Sequence, residues 1–183
     1  MVHSMVTTTQ TRPWRLSGST RKATLVVHVV SAVGWLGVDV VLLLLAVTGL
    51  TSDDPLTVAA CYQAMGVFVV PTLVPAGLIC LASGVLLGVG SKYGLLRYWW
   101  VATKLVINVV LTVLILVLLR PSVDDVVEIG RQLPGGTLGL DALGQLRTDL
   151  LFPPVVSIAA LTVATLLSIY KPWGRTPRGR RQG

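Results

Sequence analysis

Four long apolar runs separated by short polar stretches dominate this chain of 183 residues. The first extends from about Ala23 to Leu50 and is interrupted only by His28 and Asp39. The second lies within Val58 to Val89, the third runs from about Tyr98 to Leu119, and the fourth from about Leu151 to Tyr170. Each is long enough for an α-helix to cross a hydrocarbon layer, which takes about 20 residues. None alternates polar and apolar positions as a membrane strand does, and backbone in lipid must satisfy its own hydrogen bonds. The pattern predicts an all-α protein, a four-helix transmembrane bundle over 23–173. It is flanked by an N-terminal tail, 1–22, and a basic C-terminal tail, 174–183, with disorder expected over Met1–Gly18 and Arg175–Gly183.

Punctuation refines the picture. Pro71 and Pro75 each remove a backbone donor from the second run and predict a kink there. Gly77, Gly84 and Gly88, with Gly34 and Gly37 in the first run, read as packing seams where helices approach closely. Between the third and fourth runs, Ser122-Val-Asp-Asp125 has the form of a capping box that opens a short amphipathic helix. Leu133-Pro-Gly-Gly136 ends that helix, Asp141 is placed to cap a further turn or two over Ala142 to Leu150, and Pro153-Pro154 open the fourth run.

Composition agrees with a membrane protein. Hydrophobic residues make up 53% of the chain and charged residues only 13%, about half the share found in soluble domains. The net charge of +7 sits in the tails and one short loop, with no basic, aromatic-laced surface for a nucleic acid. It reads instead as a topology signal. Arg12, Arg15, Arg21 and Lys22 precede the first run, Lys92 and Arg97 lie between the second and third, and Lys171, Arg175, Arg178, Arg180 and Arg181 follow the fourth. The other two connections carry Asp53, Asp54, Asp124, Asp125, Glu128, Asp141 and Asp149. The alternation predicts a multi-pass protein of the cell membrane with both termini cytoplasmic, and puts Tyr93, Tyr98, Trp99, Trp100, Tyr170 and Trp173 at the inner interface. Met1 to Thr24 is polar and the run after it exceeds a signal-peptide core, so no cleaved signal is expected. Cys61 and Cys80, on one predicted helix, stand roughly 28 Å apart, beyond disulfide reach, and read as structural.

Candidate chemistry rests on three ionisable residues inside the apolar runs. Charge in the membrane is expensive, at least ~2.5–3.5 kcal/mol on insertion scales. His28 and Lys104 fall at similar depth in the cytoplasmic third, and Asp39 lies near the middle of its run. His28, Trp35 and Asp39 share one helical face, at i, i+7 and i+11, with Ser31 beside it. Lys104, Asn108 and Thr112 form a second polar stripe, and Ser157, Thr165 and Ser168 a third. Asp39 is expected to pair with Asn108 or a threonine hydroxyl, and Lys104 has the alternative of snorkelling to the surface. No second membrane histidine is present, so a haem held by His28 would need Lys104, a methionine or water opposite, or would be five-coordinate. Copper handling would want clustered Met, His or Cys, and no nucleotide-binding or hydrolase motif occurs.

Two segments carry a family resemblance. His28-Val-Val-Ser-Ala-Val-Gly-Trp35-Leu-Gly37 resembles an H-x6-W-x-G first-helix signature, and Trp100-Val-Ala-Thr-Lys104 a W-x3-K third-helix signature, of a loose superfamily of bacterial four-helix membrane proteins. The chain resembles an uncharacterised actinobacterial integral membrane family over about Arg21 to Thr176, including Ser168-Ile-Tyr-Lys-Pro-Trp-Gly-Arg175. It is more distantly similar to HemJ-type protoporphyrinogen oxidases and the CopD membrane domain. In the HemJ-type family a first-helix histidine and a third-helix lysine form the functional pair, associated with haem b. The resemblance implies His28 and Lys104 for those roles, with Trp35 and Gly37 in the motif and Asp39 outside it.

The sequence therefore leads to a membrane-embedded protein that binds haem b or a porphyrin in a redox role. His28 would be the iron ligand or proton acceptor, Lys104 a second ligand or propionate partner, and Trp35 and Asn108 further contacts. His28, Lys104 and Asp39 are the catalytic candidates. The rival readings are a structural or accessory subunit, in a homo-oligomer or larger complex, and a small proton-coupled transporter using Asp39 and Lys104.

Overall fold

The computed structural model describes residues 16–91, 94–136, 138–172, 174, 176 and 177. Tyr93, Trp173, Lys92 and most of both tails, named above, lie outside the described residues. The elements are α1 (Gly18–Thr51), α2 (Pro55–Val89), α3 (Trp99–Leu114), a π-helical segment (Ile115–Leu119), α4 (Arg120–Gln132), a 3₁₀ turn (Leu140–Leu143), α5 (Leu146–Asp149) and α6 (Phe152–Tyr170). There is no strand among the described residues. Four of the helical runs are long and apolar enough to span a membrane, and large side chains such as Val26, Val33, Leu44, Val106 and Ile169 are exposed along them, as lipid contact requires.

Local chemistry sets the helix ends. Ser17 caps α1 by accepting the amide of Thr20 at 3.2 Å, so α1 starts at Gly18, before the expected Ala23. Asp54 caps α2, accepting the amides of Leu56 and Thr57 at 3.3 and 3.0 Å and the Thr57 hydroxyl at 2.6 Å. Pro55 follows at the first helical position, where its missing amide is harmless. α2 runs unbroken through Pro71 and Pro75. Pro153 and Pro154 open α6 as expected.

The expected capped helix after Ser122 takes a different form. α3, the π segment and α4 make one helical run from Trp99 to Gln132, and Ser122 lies inside it, its hydroxyl donating to the Leu118 carbonyl at 2.9 Å. A π turn falls at the continuation. The Arg120 amide bonds back to the Ile115 carbonyl, five residues earlier, which shifts the register just before Pro121, a residue with no amide to donate. Asp141 likewise sits within the 3₁₀ turn, which Gly139 precedes without a side-chain cap.

The four long helices form a ring. α1 packs on α2 and α6, and α3 packs on the same two, so α1 and α3 stand diagonally opposite. The end nearest the acidic connections is densely filled: Leu42, Ala46, Val58, Tyr62, Met65, Leu73, Leu111, Ile115, Val123, Val126, Leu143 and Leu150 form one buried cluster. Arg147 reaches across this end from α5 and donates to the carbonyls of Gly49, Leu50 and Ser52 at 2.8–3.2 Å, satisfying acceptors that α1 leaves open at its C-terminus. At the opposite end, Thr176 ties the segment after α6 to the α2–α3 connection. Its amide donates to the Arg97 carbonyl at 2.9 Å and its hydroxyl to the Leu96 carbonyl at 2.7 Å. Thr176 is therefore held, contrary to the disorder expected for its tail.

Candidate functional site

The end opposite the packed cluster is hollow. A cavity of about 530 Å³ lies between the four long helices, lined on α1 by Arg21, Leu25, His28 and Val29, and on α2 by Cys80, Leu81, Gly84, Leu87 and Gly88, with Ser91 just past its end. α3 contributes Trp100, Val101, Lys104, Leu105 and Asn108, and the α6 end contributes Ser168 and Lys171. The volume is within the usual range of a cofactor or ligand pocket, roughly 300–1,000 Å³. His28 and Lys104, expected at one depth, are brought to this single space from diagonally opposite helices.

His28 is held by α2. Its Nδ1 lies 3.0 Å from the Cys80 carbonyl oxygen, 3.1 Å from Ser83 Oγ and 3.7 Å from Cys80 Sγ. A carbonyl only accepts, so the proton sits on Nδ1 and donates to Cys80; Ser83 Oγ in turn has the Ile79 carbonyl 2.6 Å away as its acceptor. The contact fixes the ring and its tautomer, leaving Nε2, which has no hydrogen-bond partner among the described residues, as the free ligating or basic nitrogen. Room for the ring comes from Gly84, where a Cβ would stand 3.1 Å from His28 Cε1.

Lys104 does not simply snorkel. Its Nζ donates to Ser168 Oγ on α6 at 2.6 Å and lies 4.9 Å from the centroid of the Trp100 ring, a cation–π arrangement. Asn108, one turn deeper, lines the same cavity, and its Oδ1 is buried without a partner among the described residues.

Asp39 and Trp35 lie deeper still. Asp39 accepts a 2.5 Å hydrogen bond from Ser157 of α6, a partner other than the expected Asn108 or threonine. The Thr112 hydroxyl instead donates to the Asn108 carbonyl of its own helix at 2.8 Å. Trp35, fully buried, stands outside the cavity lining. It packs where Gly77 leaves space: a Cβ there would lie 3.0 Å from the indole and 3.2 Å from Thr112 Oγ1. Gly77 and Gly84 thus act at helix contacts, whereas Gly34 and Gly37 face open space and form no seam. Thr165 is also turned outward, bonding only to the Leu161 carbonyl of its own helix.

Sequence reasoning missed several participants. Ser83 carried no motif signal. Cys80 was read as structural, and Arg21 and Lys171 were absorbed into the topology count. Ser157, placed in the third polar stripe, was not matched to Asp39, though spacing offered the match: it stands eleven residues from Ser168, and His28 stands eleven from Asp39. On neighbouring antiparallel helices this makes two polar tiers roughly 16 Å apart.

Among the described residues no three His, Cys, Asp or Glu side chains converge as a metal cage. An iron here would be held mainly by a macrocycle, with His28 as the protein ligand. His28, with Nδ1 engaged, Nε2 free and a cofactor-sized hollow beside it, fits that requirement. Compared with protein families, curated proteins and solved structures, the chain matches none of them.

Proposed function

We propose that this integral membrane protein holds haem b or a related porphyrin in the hollow end of its bundle, in a redox role, with both termini on the cytoplasmic side. The observation that carries the proposal is that His28 and Lys104 line one cavity from opposite sides of the helical ring. The motif likeness of the first and third helices favours the same pair. In this reading His28 offers Nε2 to iron, while its Nδ1 bond to Cys80 holds the ring in orientation. Lys104, steadied by Ser168 and Trp100, would supply a positive charge to a propionate or, as the free amine, a second nitrogen. Haem supplies one-electron chemistry when bound; the chain supplies the ligand, the cation and a largely apolar wall. The transport reading gains no support from the packing, because the polar tiers end at Asp39 against the apolar cluster.

The experiment is a visible spectrum of the protein purified from haem-replete cells, or reconstituted with haemin in detergent. The expected result is a Soret band that is lost or shifted in His28→Ala, while the variant remains folded. A colourless protein that also fails to take up haemin overturns the proposal.

A further inference from the structure

The cavity has a cationic rim. Arg21, one turn into α1, and Lys171, just past α6, are exposed at its mouth, and half-buried Lys104 lies farther in. They come from three separate stretches of chain, yet none of the chain's eight Asp and Glu residues lines the space. Seven of those acids are in the connections at the other end, and Asp39 is bonded to Ser157. The positive-inside rule accounts for basic residues near this end, but it does not require them to converge on one hollow. Lys171 is also set in place. It takes a left-handed conformation (φ 47°) at the α6 C-terminus, its amide bonds to the Leu167 carbonyl at 3.1 Å, and the Thr176 tether follows. Below the rim the walls are apolar, with Leu25, Leu81, Leu87 and Leu105 among the lining residues.

We propose that the cavity is selective for acids. It takes an amphipathic molecule whose anionic groups sit among Arg21, Lys104 and Lys171, and whose apolar body fills the space down to His28. The proposal deepens the reading above and rests on it for the cavity being the ligand site. It adds that acid groups on the ligand are what the site recognises. The carboxylates of a porphyrin and the phosphate of an anionic lipid offer the same chemistry.

The test titrates the full-length protein in neutral detergent with protoporphyrin IX, a dicarboxylic acid, and with its dimethyl ester. The expected result is binding of the free acid more tightly than the ester by about tenfold or more, as one or two charge-assisted hydrogen bonds supply. That difference should vanish in R21Q/K171Q and persist in R21K/K171R, which keeps the charges and serves as a control for folding. Equal binding of acid and ester by the wild type overturns acid selectivity and leaves the porphyrin reading standing. If neither porphyrin binds, the porphyrin reading fails and the second arm decides. Native mass spectrometry from nanodiscs of mixed phosphatidylglycerol and phosphatidylcholine should then show the anionic lipid retained by wild type and lost in R21Q/K171Q. Retention of neither lipid, or of both alike, overturns the proposal.

Discussion

Asp39 on α1 and Ser157 on α6 meet through a 2.5 Å hydrogen bond at 2% and 6% exposure. No salt bridge with a basic residue accompanies it among the described residues. This contact fastens the first and last spans at mid-depth, and it is the floor on which the hollow end of the bundle stands.

Losing that donor leaves a buried carboxyl with nothing in exchange. Ser157→Ala should therefore destabilise the protein by about 1–3 kcal/mol, read as a lower thermal midpoint in detergent. Asp39→Asn keeps an oxygen that can accept the same bond and should lose less. A Ser157→Ala protein as stable as wild type would show that the contact holds nothing together.

Arg147 has three carbonyl partners on the end of α1 and its connection. Arg147→Gln should cost about 1.5–3 kcal/mol, the range for hydrogen bonds from a charged group. Amide exchange should accelerate first around Val47 to Ser52. Uniform acceleration across α1 would instead mean that the whole helix depends on this contact.

Gly84 supports the His28 ring by having no side chain. Gly84→Val would put its Cβ 3.1 Å from His28 Cε1, with two further methyl groups beyond it, so the ring must shift from its present place. The expected outcome is a shifted or weakened Soret band in the haemin-reconstituted protein. Gly34→Val, in open space, should leave the spectrum unchanged; a matching loss in both variants would refute the specific role of Gly84.

The Asp54 cap carries a pH dependence. The Thr57 hydroxyl, then the Thr57 amide, hold its carboxyl below the ordinary carboxylate range. A depressed value in the folded state means stability that is fully present above the unfolded value, about 4, and lost as pH falls through the folded value. Asp54→Asn should flatten the fall in thermal midpoint over that acidic interval and leave neutral pH nearly unaffected. An unchanged slope would place the acid sensitivity elsewhere.

Much of this was legible in the sequence for physical reasons. An apolar run of helical length has few alternatives in lipid, so the four spans followed from hydropathy, and helical phase placed His28 with Asp39 and Lys104 with Asn108. What the sequence could not give was the register between helices. Phase fixes the direction of a side chain on its own helix and says nothing about which neighbour stands there. That is why Asn108 or a threonine hydroxyl is the expectation for Asp39, when its partner is Ser157 on α6. Arg120-Pro121-Ser122 misled for another reason: a serine three residues before an acid is a cap only if the chain breaks, and a π turn absorbs the proline without a break. Arg21 and Lys171 were counted by the side of the membrane they occupy, a measure that discards where they point.

The filled end of the bundle has a consequence for exchange. With Leu42, Met65, Leu73 and Ile115 stoppering one side, the hollow is a blind cup and not a conduit: a molecule entering it has no open route through the bundle to the end that carries the acidic connections.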